Sequence, residues 1–330
     1  MKELKFINLM LISRRELMND IIILNPVFKE TIWGGERLKT QYNFDIPSCH
    51  TGENWCISAH HNGDCEIANG AFKGKKLSWL YENHRELFGN MTAPEFPILV
   101  KWIDANDDLS VQVHPDDQYA KEHEDSLGKS ECWYVVDCDK ETKMVMGHHA
   151  KTKDELVQAI EKDDYDSLLN VIHIAPGDFY WIPSGTLHAI CAGSLIYEVQ
   201  QSSDITYRVY DYHRKDANGN LRELHVQKSL DVVDVPYLPQ QLNYQCTQQE
   251  DMQKVNYLDN HIFKVSKVNV DGKYQIENHE PMRLMTVLEG EGFCNQEKIT
   301  KGMSFIITSE AQKIVFEGHL VMIETLLGGK

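Results

Sequence analysis

Short segments rich in β-branched and aromatic residues succeed one another along the chain, each closed by Gly, Pro or a polar turn. DIIILNPVF, CEIAN, FPILVKWID, LSVQVHP, CWYVVD, KMVMGH, SLIYEVQQ and ITYRVYDY are examples. Strands this short and this closely spaced predict an all-β sandwich or barrel. Two stretches carry helical spacing instead. LSWLYENHRELFG places Leu77, Leu80, Tyr81, Leu87 and Phe88 on a helical face and ends in Gly89. TKDELVQAIEKDDYDSLLNVI opens on Thr152-x-x-Glu155, a capping box, with Leu156, Ile160 and Leu168 following. A third helix is predicted to start at Pro115, because Pro suits the first helical position.

A second regularity is internal. IAPGDFYWIPSGTLHAI aligns without gaps on ITKGMSFIITSEAQKIV, so that Gly177 matches Gly302, and His188 falls opposite Lys313. LEGEGF, just upstream of the second copy, supplies a Gly-bounded hairpin of its own. The pairing predicts a second barrel that keeps the strand pattern and has lost Pro183, Gly185 and His188. The prolines of DVPYLPQQ place the boundary near Pro236. The expected division is an N-terminal extension over 1–17, a first domain over 18–236 and a second over 237–330. The extension, MKELKFINLMLISRREL, has too short an apolar run to span a membrane and lacks a small-residue cleavage site after its Arg pair. It reads as a short element or as a stretch upstream of a start at Met18.

Charge narrows the partners. At 330 residues and a formal charge of −17, the chain is a poor candidate for nucleic acid, whose phosphates recruit basic surfaces. An anionic ligand would need a local cluster of Lys and Arg against the field of the whole protein. The eight cysteines include no CxxC pair and are too dispersed for a small disulfide scaffold. They read as reduced structural thiols of a soluble, cytoplasmic protein without membrane partners. No sequence feature fixes an oligomeric state.

The chemistry concentrates in LSVQVHPDD, GKSECWYVV and GDFYWIPSGTLHAI. Gln112 and His114 are two apart on a strand and share a face, while Val111 and Val113 take the other. The pattern Gly177-x5-Pro183-x-Gly185-x2-His188 resembles the second metal-binding motif of the cupin barrels. Their first motif offers His-x-His and then Glu; here Gln112 stands for the first His, and Glu131 follows a longer insertion. The resemblance implies cupin-type (jelly-roll) barrels with helical insertions, metal-bearing in the first domain and degenerate in the second. Two imidazoles, a carboxylate and an amide oxygen suit Zn²⁺, with Fe, Mn or Co compatible by ligand type. One metal per chain is expected, and His123 reads as helix surface.

LNPVFKETIWGG, TGENWCISAH, FPILVKWIDANDDLSVQVHPDD, GKSECWYVV, IPSGTLHAI and YEVQQSSDITYRVYDY together resemble the short bacterial type I mannose-6-phosphate isomerases, in order from about Leu24 to about Val233. The resemblance implies a zinc enzyme that interconverts mannose 6-phosphate and fructose 6-phosphate through an enediol, with Gln112, His114, Glu131 and His188 as ligands. It further implies Glu198 as the first choice of base and Arg208 as the catalytic arginine. Lys129, two before Glu131, Ser110, Lys101 and Glu53 correspond to pocket positions, and Arg214 to a basic residue near the phosphate. Two alternatives stay open: a metal-dependent cupin oxygenase and a non-catalytic sugar-binding cupin. Gln112 in place of a His, with Lys129 and Arg208, favours a phosphosugar over dioxygen.

Overall fold

The computed structural model describes residues 20–215 and 219–329. The extension expected over 1–17 lies outside the described residues. The architecture is mainly β, as the strand pattern predicts. The contacts divide the chain into two compact units: one takes the segment ending at Val27 with Cys56–Pro97 and Asn243–Lys330, the other Phe28–Trp55 with Ile98–Leu242. This grouping differs from continuous domains over 18–236 and 237–330. Its cause is the apolar run at Ile21–Asn25, whose backbone pairs antiparallel with Ser304–Thr308, from Ile21 opposite Ile307 to Leu24 opposite Ser304.

The first unit is built on a nine-stranded sheet. Its longest ladder joins Phe263–Glu277 to Lys313–Leu327, with Phe263 opposite Leu327 and Glu277 opposite Lys313. Ile21, Phe305, Ile307 and Met322 pack in its core. The helix expected from LSWLYENHRELFG forms in two pieces, Leu77–Asn83 and a 3₁₀ turn at Arg85–Phe88, closed by Gly89 at φ +62°.

The second unit carries two sheets. One has six strands, in the order Phe179–Ile182, Glu131–Cys138, Ser194–Gln201, Ile98–Ala105, Val27–Gly35 and Thr51–Ile57. The other has five: Tyr207–Tyr210, Val111–Val113, His188–Ile190, Lys143–His148 and Leu169–His173. Helices cover the ends. The Thr152 hydroxyl accepts from Glu155 N at 3.2 Å and caps Lys153–Glu161, while Glu155 reaches back to Lys151 N at 2.7 Å. That helix is shorter than its apolar spacing suggested, because Asp163 turns at φ +57° and Leu169 enters a strand. The helix expected from Pro115 instead runs Asp117–Glu124, since Asp116 accepts from Tyr119 N at 2.8 Å and takes the cap.

The internal repeat is visible in the backbone. Gly177 and Gly302 sit at φ +95° and +86°. The strands after them begin at the aligned residues Phe179 and Ser304, and the next strands at the aligned His188 and Lys313. All eight cysteines are free thiols. Among the described residues, no helix is long and apolar enough to cross a membrane.

Candidate active site

Between the two sheets of the second unit lies a cavity of about 360 Å³. The five-stranded sheet reaches it through Gln112. Val111 and Val113 are fully buried in the apolar cluster on the other side of their strand, as a period of two requires. The turn Pro183-Ser184-Gly185 then sets the register of the neighbouring strand. Gly185 adopts φ +85°, and its N–H donates to His114 O at 2.9 Å. Ser184 N donates to the Ser130 hydroxyl at 3.1 Å. His188 emerges directly opposite Gln112, and from the six-stranded sheet Glu131 enters opposite Gln200.

His114, Glu131 and His188 converge, with their ligand atoms within 4.8 Å of one another. Glu131 Oε1 lies 3.3 Å from His188 Nε2, and Oε2 lies 3.5 Å from His114 Nε2. Both carboxylate oxygens and His188 Nε2 are buried, yet none closes a hydrogen bond. Atoms of this kind are costly to bury unpaired. His188 Nδ1 lies 2.8 Å from the Thr186 carbonyl; a carbonyl only accepts, so the proton sits on Nδ1 and the Nε2 lone pair points at Glu131. Burial holds His188 at a pKa of about 4, with the Lys129 ammonium acting in the same direction against the Thr186 hydrogen bond. Burial, then Lys129 and His188, hold His114 well below the usual histidine range. Two neutral imidazoles facing one carboxylate fit a divalent metal, and Gln112 adds an amide to the same wall. Lys129 Nζ stands 3.2 Å from His114 Nε2 and 3.3 Å from Glu131 Oε2.

Beside this centre lies a buried chain of charges. Glu198 stands opposite Lys101 on one neighbouring strand and opposite Trp133 on the other. Lys101 Nζ is 3.2 Å from Glu198 Oε1 and 3.6 Å from Glu53 Oε1. Burial alone would make Lys101 shed its proton, but Glu198, Glu53 and Glu131 outweigh it and raise its pKa. Glu53, Lys101, Ser110, Gln112, Lys129, Glu198 and Arg208 all line the cavity.

Arg214 does not line it. Its guanidinium is bound by the Asp211 carboxylate and the Asp108 carbonyl, which leaves the arm turned into that anchor. Arg222 lines the cavity in its place, with Nη1 3.1 Å from Asp211 Oδ1. Nearby, Arg208 donates from Nη1 to Glu223 O at 3.1 Å, while its buried Nε has no hydrogen-bond partner among the described residues. Burial and then the like charge of Arg222 push Arg208 below its usual pKa. Two guanidiniums of this kind on one wall make a site for an anion.

Sequence reasoning missed two groups here. Trp133 stands two after Glu131, so strand alternation alone could have put it on the same face. Arg222 follows the polar stretch DANGN, which offers no sequence period to carry the inference. His123 is exposed and stacks on Tyr119 at 4.0 Å between ring centroids, away from the ligands. Burial raises the Cys132 thiol well above its usual pKa, which leaves it a poor nucleophile.

Comparisons with known proteins agree with this geometry. Residues 21–163 match the family profile described as phosphomannose isomerase type I, catalytic domain, and residues 253–327 the profile described as mannose-6-phosphate isomerase, cupin domain. The chain is 48% identical over 272 residues to mannose-6-phosphate isomerase ManA of Bacillus subtilis, covering 82% of this chain and 86% of that one. It is 43% identical over 310 residues to mannose-6-phosphate isomerase of Streptococcus mutans, covering 93% and 98%. The crystal structure of a mannose 6-phosphate isomerase from Bacillus subtilis superimposes with a TM-score of 0.91 at 42% identity, over 93% of this chain and 99% of that one.

Proposed function

The chain belongs to the type I phosphomannose isomerases, and from that premise we propose that it interconverts mannose 6-phosphate and fructose 6-phosphate through an enediol, with one zinc per chain. The observation that carries this reading is a cavity lined by Gln112, Lys129, Glu198 and two arginines, with the His114–Glu131–His188 cluster reached through Lys129, which contacts both His114 and Glu131. Gln112, His114, Glu131 and His188 would hold the metal. When bound, zinc supplies a positive charge that orients the sugar and offsets charge developing on its oxygens.

The remaining work falls to side chains of this chain. Glu198 is the base. In the forward direction the C2–H bond of the aldose breaks and its proton bonds to the Glu198 carboxylate. The C–H electron pair forms the C1–C2 double bond, and the carbonyl π pair moves onto O1. A proton passes from O2 to O1, the C2 carbonyl forms, and Glu198 returns its proton to C1. Lys101 supports this by keeping a fixed ammonium 3.2 Å from Glu198 Oε1.

Arg208 and Arg222 clamp the phosphate. A phosphate there satisfies the unpaired Arg208 Nε and relieves the repulsion between the two guanidiniums. Ser110, Lys129 and Glu53 line the same cavity and would meet the sugar hydroxyls. The test is a coupled assay of fructose 6-phosphate formation from mannose 6-phosphate. Turnover supports the reading; its absence from folded, zinc-loaded protein contradicts it.

A further inference from the structure

The base has two oxygens, and the structure treats them differently. Oε2 accepts the indole N–H of Trp133 at 2.8 Å, with Trp133 fully buried and Glu198 only 2% exposed. Oε1 is buried, faces Lys101 at 3.2 Å and closes no directed hydrogen bond. An indole N–H can only donate. A proton on Oε2 would therefore point at another proton and leave two buried donors facing each other, which is costly. The same indole meets the His188 ring edge to face, at 5.3 Å between centroids and 79° between planes. Trp133 thus touches the base and a candidate metal ligand together, yet does not line the cavity.

We infer that Trp133 is a positioning residue for Glu198: its N–H fixes Oε2 as an acceptor and leaves Oε1 as the oxygen that exchanges the sugar proton. This rests on the isomerase reading above, because it needs Glu198 to be the base. The geometry follows from register. Trp133, Glu198 and Lys101 form one row across three adjacent strands, so the carboxylate is gripped from one side and paired from the other. Without the indole donor, the Glu198 side chain can rotate and present either oxygen to substrate. Turnover then falls, while phosphate and metal binding, carried by other residues, stay as they were.

The test is Trp133→Phe, which keeps an aromatic ring against His188 and deletes the N–H. The expected result is a kcat for mannose 6-phosphate lower by about tenfold or more, the scale of one hydrogen bond to a charged group. KM stays within about twofold and zinc content stays at the wild-type level. A kcat within about twofold of wild type overturns the inference. So does a loss of kcat that comes with lost zinc or with an equal rise in KM, since either marks packing rather than positioning. A second readout does not depend on how W133F folds: Glu198→Gln should move one indole N–H resonance of the wild-type spectrum and leave the other indoles in place. No moved resonance overturns the inference as well. Wild type without turnover on mannose 6-phosphate would defeat the isomerase reading itself, and Glu198→Gln at the wild-type rate would defeat the base and this inference together.

Discussion

Glu131 Oε1 and His188 Nε2 face each other at 3.3 Å in a fully buried site, and neither closes a hydrogen bond. Thr186 fixes the tautomer that aims the His188 lone pair at this contact. Two acceptors in this relation repel unless a cation lies between them. His188→Ala and Glu131→Gln should each bring bound zinc, measured by elemental analysis after gel filtration, well below one per chain. Zinc added to chelated wild type should raise its stability by about 4 kcal/mol at a thousandfold excess over Kd, and do little for either variant.

Arg222 and Arg214 both touch Asp211, but of the two only Arg222 lines the cavity. Arg222→Ala should raise KM for mannose 6-phosphate by roughly tenfold or more, the worth of a charge-assisted contact to phosphate. Arg214→Ala should leave KM within about twofold and lower the midpoint of urea unfolding, because its guanidinium braces Asp211 against the Asp108 carbonyl. The reverse pattern would return the phosphate contact to Arg214.

Lys101 is buried between Glu198 and Glu53. Lys101→Met removes the ammonium and leaves two carboxylates without their counter-charge. Breaking a buried pair from one side costs on the order of 3–5 kcal/mol, so chemical unfolding should show a loss of that size. Glu53→Gln, which leaves the Lys101–Glu198 pair standing, should cost less.

Stability of chelated protein should depend on pH in a defined direction. Folded His188 takes up a proton only near pH 4, whereas an unfolded histidine does so near 6.5. Between these values the unfolded chain binds more protons, so stability rises with pH across the window. The contribution is complete above about pH 6.5 and is lost progressively as pH falls toward about 4. His114, lowered in the same direction by burial, adds to the slope. Thermal unfolding of chelated wild type between pH 4 and 7 should show it, and His188→Asn should flatten it; an equal slope in both would place the titration elsewhere.

Much of this site was legible because strands repeat every two residues. Alternation placed Gln112 beside His114, and the Gly177, Pro183 and Gly185 offsets marked the turns that deliver His188. The same alternation could have placed Trp133 beside Glu131, but its indole partner lies on another strand, and cross-strand register is not written in local spacing. Arg214 stands at an offset from Arg208 that suits a basic side chain, and the spacing does not show that Asp211 lies close enough to bind it. Arg222 comes after the polar stretch DANGN, which has no strand or helix period to place it. The grouping of Ile21–Asn25 with C-terminal strands was illegible too: its apolar run announces a strand and says nothing of its partner. The helix at Asp117 began two residues late because a carboxylate cap outcompeted the proline as its start.

The most direct measurement is a coupled assay of mannose 6-phosphate conversion on protein treated with chelator and then titrated with Zn²⁺. The expected result is activity that disappears with the chelator and returns as zinc approaches one equivalent per chain. Full activity in protein shown by elemental analysis to hold no metal, or none after zinc fills the site, would contradict the assignment of His114, Glu131 and His188 as the metal centre of this isomerase.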